Sequence, residues 1–496
     1  MQARNYVNML GRYNSKKWSN GGVIAASLYS VLPIVLFIFG WTKITYAILA
    51  VGIVCLIAAK LVNEFNVEGE LFTSNISYAF IATIIICIWV YLSGIGGYGY
   101  QNKDFWARNP IYHDLIKCRW PVVYDLSAQS EFVKSITGTG KVAFSYYYTW
   151  WLVPAALSKI LGGNVIVSGI ILYLWAVLGL LILLAQINRI IGRTSYLSLL
   201  VLIFFSGMDC IPYLVFHGKM PFTEHIEWWD GIFQYSSNTT QLFWVFNQSI
   251  PVWILVCLFL QLQNEKYKAA IASLIFAYSP WAIFGIIPYV MFSIFSKKVP
   301  LKEWINPLNI GVPLLMLLVY GSFYAAGNGG NGGYGLIFWQ YRTELLVVVI
   351  QYVMFVIIEF LLLFTVMGKR ACKYEYYWVT LLVLLLYPLF YIRDENFVMR
   401  SSIPALFILM IYVLKYLIEE RKDLNYLLLV LILVIGAVTP TTEITRSIVY
   451  GRHIEDSVHS FGRIETEDSD IIEKISNQFF TYDMDSKFFY KYVGKR

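Results

Sequence analysis

Apolar runs of about 20 residues, each long enough to cross a bilayer as a helix, recur along almost the whole 496-residue chain. Inside lipid every backbone polar group must be bonded within the protein, so only helices and closed barrels span it. These runs are continuous rather than alternating, which selects helices over strands. With 58% hydrophobic and 14% charged residues and a mean hydropathy of +0.60, the chain reads as an all-α polytopic membrane protein.

Hydropathy places spans near 22–41, 44–63, 76–97, 165–187, 195–216, 242–262, 267–280, 281–296, 307–326, 344–367, 376–392, 401–418 and 424–440. That makes about thirteen, with the termini on opposite sides. The segments 267–280 and 281–296 are each too short to cross, and Pro280 falls where they would turn, so a tight buried hairpin is expected there. Residues 143–161 are apolar enough to span, but counting them would put Arg189 and Arg193 outside and invert every later loop. They are therefore expected to lie as surface helices, with Trp150 and Trp151 at headgroup depth.

Lys and Arg concentrate in loops on the N-terminal side, whereas the short loops opposite hold Lys43, Lys219, Arg342, Arg393 and Arg400. The positive-inside rule then gives a multi-pass cell-membrane protein with a cytoplasmic N-terminus and an extracytoplasmic C-terminus. Arg4, Arg12, Lys16 and Lys17 precede a long span with no small-residue cleavage site, the pattern of a retained cytoplasmic start. The net charge of +7 is accounted for by these loops, so no nucleic-acid partner is inferred; the bilayer itself is the partner. Six scattered cysteines show neither CxxC nor metal-ligand spacing.

This organisation divides the chain into 1–75, the N-terminus with two leading spans; 76–300, a membrane module with a long outer loop 98–164; 301–440, C-terminal transmembrane helices; and 441–496, an external tail. The tail carries "QFFTYDMDSKFFYKYV" and is expected to pack on the membrane domain. A glycine-rich strap, "GNGGNGGYG", occupies 327–335.

In this topology the polar motifs collect at the outer face, which implies a polar chamber on that side. "QNKDFWARNPIYHDL" reads as a short helix entered at Asn102 or Lys103 and interrupted by Pro110. It offers Asp104 and Arg108 on one face, then Asn109, His113 and Asp114. Asp209 ends the fifth span in "FFSGMDCIPY", where an acid has few solvent partners. "HIEWWD" sets His225 and Glu227 beside Trp228 and Trp229, acids and rings of the kind that bind sugars. A single histidine without i,i+4 partners is a weak metal signal, so a divalent cation stays open and no cofactor is assigned. Arg342, Arg393 and Arg400 supply fixed positive charge suited to a lipid phosphate.

The long outer loop with an acid just past a span, juxtamembrane helices within it, a second acid at Asp209 and a later short-helix hairpin resemble the GT-C superfamily of membrane glycosyltransferases. That superfamily includes protein O-mannosyltransferases and the aminoarabinose transferase of lipid A. Asp104 takes the place of its first-loop acid and Asp209 that of the acid ending the following pair of spans. "GKVAFSYYY", 140–148, is similar to its Lys-Pro-x-x-x-Tyr element without the Pro. The likeness covers roughly residues 76–300. Two departures stand out: Asp104 is followed by Phe105 rather than a second acid, and two spans precede the family's usual first one. "QNKDFWARNPIYHDL", "HIEWW" and "NFVMRSSIPALF" also resemble multispanning bacterial proteins encoded with surface-polysaccharide genes.

The resemblance implies an inverting transferase that passes a sugar from an undecaprenyl-phosphate-type carrier to a cell-surface glycan, teichoic acid or lipid-linked acceptor. Asp104 is the first candidate for the base and Asp209 the second. Arg393 and Arg400, with Arg108 and Arg342, would face the departing phosphate, and Trp228, Trp229 and His225 would position the sugar. Two alternatives remain open: a surface-polysaccharide polymerase, and a flippase or transporter of lipid-linked glycan. Charges gathered at one face without a visible repeat disfavour the transporter.

Overall fold

The computed structural model describes residues 2–48, 50–52, 76–125, 140–262, 264–296, 298–327, 333–392, 396–420, 422–453, 460–461 and 479–495, with side chains from residue 21 onward and without that of Asn396. The span expected at 44–63, the strap expected at 327–335, much of the tail and Arg393 lie wholly or partly outside the described residues.

The chain is a multi-pass membrane protein. Six helices among the described residues are long and apolar enough to cross a bilayer. In chain order the helices that matter are α1 (Gln2–Trp41), α2 (Ile76–Leu92), α3 (Phe105–Lys117), α4 (Leu152–Ile160), α5 (Val165–Ile190), α6 (Tyr196–Phe204), α7 (Cys210–His217), α8 (Asn238–Gln261), α9 (Lys268–Leu274), α10 (Ala282–Phe295), α11 (Pro307–Ala326), α12 (Arg342–Ala371), α13 (Tyr377–Leu389), α14 (Ile403–Glu419) and α15 (Leu424–Tyr450). Crossing length is reached by α1 over Gly21–Trp41, α5, α8, α11, α12 and α15, while α2, α10 and α13 are shorter apolar helices.

Helix α8 is the hub, packed by α1, α5, α14 and α15 and almost entirely buried. Its first turns are polar, and burial is offset there by side-chain hydrogen bonds to neighbouring backbone. Asn238 Nδ2 donates to the Leu202 carbonyl at 3.0 Å, Thr239 Oγ1 to Ile203 at 2.7 Å and Gln241 Nε2 to Ser236 at 2.8 Å. Ser237 caps the helix through its hydroxyl, which accepts from the Thr240 amide. Helices α9 and α10 turn between Tyr278 and Trp281 and pack together, and α10 packs on α14.

Small sheets clamp the loops. Strands β1 (Val123–Asp125) and β2 (Lys141–Phe144) pair antiparallel, with Val123 opposite Ala143, and β2 also pairs with the tail strand β5 (Phe480–Thr481). Strand β3 (Tyr334–Leu336) pairs with β4 (Phe390–Ile392). The end of the tail returns to α1, where Lys495 donates its amide to the Trp41 carbonyl at 2.8 Å.

Four local expectations need correction. Helix α3 runs through Pro110: the missing N–H forfeits one bond, but Phe105, Ile111 and Leu115 on either side are buried and seat both halves on the core. The stretch 195–216 is not one helix, because "FSGMD" leaves the helical path between α6 and α7. Gly207 packs there against Glu359, where a Cβ would come within 2.1 Å of the carboxyl oxygen. Trp150 and Trp151 do not lie on the protein surface; both are buried, with Trp150 Nε1 donating to Tyr29 at 2.9 Å and both rings edge-on to Phe246. The last span does not stop at residue 440, since Pro440 falls in the first turn of a continuing helical segment, where an absent N–H breaks no bond.

Candidate functional site

A cavity of about 750 Å³ opens where α3, the 218–237 loop, α8 and the β3–β4 sheet meet, and its wall includes Lys103, Asp104, His225, Trp228, Gln234 and Arg400. Ile232, Trp244, Val245, Gly333, Gln340, Tyr391 and Met399 complete it.

The α8 backbone departs from helical geometry at Val245 (φ −139°, ψ 37°), on the cavity wall. Close by, the Phe243 carbonyl takes Asn102 Nδ2 at 2.9 Å and Arg108 Nη1 at 3.3 Å instead of serving the helix alone. Arg108, sandwiched near the rings of Phe105 and Phe246, then holds Asp104 Oδ2 at 2.9 Å. The i,i+4 pair read from the sequence is therefore anchored to a break in the hub helix. That anchoring keeps the carboxylate at the cavity edge.

The opposite wall is built by the 218–237 loop. Helix α7 ends at Gly218, whose φ of +69° suits a residue without Cβ. Asp230 then accepts the amides of Ile232 and Phe233, both at 2.9 Å, across Gly231 (φ +74°). This turn splits the tryptophan pair. Trp228 faces the cavity and is 50% exposed, whereas Trp229 is buried and stacks on Phe216 with centroids 5.6 Å apart. Glu227 is buried beneath, its Oε1 accepting from the Ser237 amide at 2.8 Å and from Thr240 Oγ1 at 2.5 Å, at the N-terminal end of α8. Burial pushes its carboxyl up to about 7, with the charge of Asp209 adding to the rise and His225 opposing it. Burial likewise raises Asp230 to about 6 against the pull of its two amide donors.

His225 reaches the cavity with a side chain 22% exposed. Its Nδ1 lies 3.0 Å from Glu443 Oε1 on α15, and its Nε2 lies 3.1 Å from Gln234 Nε2. Glu443 also receives Trp244 Nε1 at 3.0 Å and the Arg446 guanidinium. Three donors converge on a buried acceptor, the arrangement that holds an ionised carboxylate. Burial alone would depress the histidine, but the Glu443 carboxylate, assisted by Glu227, outweighs it and holds His225 above its ordinary value.

Most of the remaining sequence candidates stand elsewhere. Asp209 is buried between α6 and α7, off the cavity wall; it accepts from Thr439 Oγ1 at 3.1 Å and is hydrogen-bonded to Glu359 on α12. Asp114, expected to bind substrate, instead ties the fold together by accepting from Tyr124 at 2.6 Å and from the Phe461 amide at 2.9 Å. His113 lies 3.1 Å from the same carboxylate. Asn109 exchanges amide bonds with Gln101. Arg342 is exposed at the start of α12 and does not line the cavity. Arg400 does, close to the Tyr147 ring. Sequence reasoning did not single out Glu443, Arg446, Gln234 and Trp244, because the first two fall in what reads as tail and the others are neutral residues within longer polar and aromatic stretches.

Among the described residues no group of three or more His, Cys, Asp or Glu is placed to hold a metal ion. No protein-family model matches this chain, and neither a curated protein nor a solved structure does.

Proposed function

We propose that the protein transfers a sugar from a polyprenyl-phosphate carrier to a surface glycan or lipid-linked acceptor, at the extracytoplasmic mouth of this cavity. The carrying observation is that one cavity in a multi-pass membrane protein joins an acid, an imidazole, cations and open ring faces: Asp104, His225, Lys103, Arg400 and Trp228. A departing lipid phosphate needs fixed positive charge, which Arg400 and Lys103 supply from the wall. A pyranose offers an apolar face to a ring such as Trp228 and hydroxyls to carboxylates such as Asp104. The acceptor hydroxyl must lose its proton to a group on the wall, and Asp104 and His225 both line it.

The test is transfer of radiolabelled sugar from a panel of polyprenyl-phosphate sugars by the purified protein, with Asp104→Asn and Arg400→Gln alongside. Transfer by wild type that falls in both folded variants supports the reading. Saturable binding of the carrier with no transfer or hydrolysis from any donor sinks it.

One observation favours a second reading, movement of a lipid-linked glycan. Asp209 and Glu359 are buried carboxyls hydrogen-bonded to each other, and such a bond holds a proton. Glu359 sits in a π-turn, Ile357–Leu361, of a membrane-spanning helix, an irregularity common at functional sites. Proton-driven accumulation of lipid-linked glycan in sealed vesicles, lost in Glu359→Gln, would establish that alternative.

A further inference from the structure

The glycosyl-transfer reading leaves two groups able to accept the proton, and their surroundings differ. Asp104 is held by Arg108 at 2.9 Å, so a cation already compensates its charge. His225 has the opposite setting. An amide nitrogen can only donate, so Gln234 Nε2 at 3.1 Å marks His225 Nε2 as an unprotonated acceptor. The ring proton then sits on Nδ1, directed at Glu443 Oε1 3.0 Å away. Glu443 cannot swing away readily: Trp244 and Arg446 hold its other oxygen, and it belongs to the membrane-spanning helix α15.

Gln234 occupies the lone pair only conditionally. Its Nε2 also lies 3.1 Å from Ser236 Oγ and 3.4 Å from Glu227 Oε2, so it can release the imidazole without leaving its amide unsatisfied. It lines the same cavity as His225, so an incoming hydroxyl can take its place.

We infer that His225 is the catalytic base, taking the acceptor's proton at Nε2, and that Glu443 is its positioning residue; this rests on the sugar-transfer reading. As the acceptor oxygen forms its bond to the anomeric carbon, the carbon–oxygen bond to the lipid phosphate breaks and its electron pair leaves on that phosphate. The hydroxyl proton passes to Nε2. The resulting imidazolium faces Glu443 from α15 and Glu227 from its own loop, with Asp209 adding negative charge and Arg446 opposing. Across the cavity stand Lys103, Asp104 and Arg400. The proton then leaves to water through the open cavity.

The role predicts the direction of the pH profile. Only neutral His225 accepts a proton, so turnover rises with pH through its pKa. Removing the Glu443 charge destabilises the imidazolium, so in Glu443→Gln this limb moves to lower pH by about one unit. His225→Gln is expected to lower kcat by ~100-fold or more, as general-base removal does, with donor KM nearly unchanged. Glu443→Asp restores most of the rate and returns the limb toward the wild-type position.

The experiment is the pH dependence of sugar transfer by the full-length protein in nanodiscs, comparing wild type, His225→Gln, His225→Ala with added imidazole, Glu443→Gln and Glu443→Asp. Loss in His225→Ala that imidazole restores supports the base, and it remains readable if the Glu443 variants fail to fold. Transfer by wild type that persists unchanged in His225→Gln, or an acid limb unmoved in folded Glu443→Gln, overturns the inference and leaves the sugar-transfer reading standing. Absence of transfer from every donor overturns both.

Discussion

Two buried acids, Glu443 and Asp209, are partnered in opposite ways. At the cavity, Glu443 gathers three donors, from His225, Trp244 and Arg446. Between α6 and α7, Asp209 meets a hydroxyl from Thr439 and a second carboxyl from Glu359. The first is a carboxylate compensated by partners of opposite or complementary character. The second pairs like with like, in a space that Gly207 opens by lacking a side chain. An acid in lipid is thus no guide to its role until its partners are known.

The sharpest way to break that contrast is to remove the acid at each site and follow thermal unfolding in detergent. Glu443→Ala leaves Arg446 buried beside no counter-charge, which costs about 3–5 kcal/mol. Asp209→Asn keeps the shape and a hydrogen bond, so it is expected to change stability by less than about 1 kcal/mol. Equal losses in the two variants would erase the distinction.

A second comparison uses pH. The Glu227 carboxyl is raised from an ordinary value near 4.5 to about 7, so between those values the native state binds a proton that the unfolded chain has released. Stability therefore declines as pH rises through this window, by on the order of 3 kcal/mol at most. Denaturation of Glu227→Gln from pH 4.5 to 7.5 should flatten the decline. A slope identical to wild type would assign the dependence to other groups, of which Asp230 has the same sign.

Helix α3 and its N-cap supply a third, with two acids ten positions apart. Asp104→Asn, at the cavity, is expected to reduce transfer roughly 10- to 100-fold with little effect on folding, equivalent to about 1.4–2.7 kcal/mol. Asp114→Asn removes the charge that holds Tyr124 and Phe461, and should lower the unfolding temperature instead. The smallest predicted effect on stability is that of Trp228→Ala, within about 0.5 kcal/mol because the ring is half exposed, while sugar binding weakens. Its neighbour Trp229→Ala, buried on Phe216, provides the contrast in the same unfolding assay.

The opening polar helix was legible because its residues are local: Asp104 and Arg108 need only a 3.6-residue repeat to meet. His225 was legible only as a residue type, since the acid that orients it lies 218 positions away. Hydropathy ends the last apolar run at 440, which left Glu443 and Arg446 in an apparent tail and hid the pairing. Asp209 drew attention for its apolar flanks, yet the same flanks bury it off the cavity wall.

What the sequence determined by itself is the solvent. Long continuous apolar runs can satisfy their backbone in lipid only as helices, so a multi-pass helical membrane protein follows from hydropathy without tertiary information. What tertiary structure alone decided is which polar groups share a space. Hydrogen bonds between residues on different helices depend on how those helices pack, and packing of α15 against α8 brings Glu443 to His225 and Trp244. No local pattern encodes that contact.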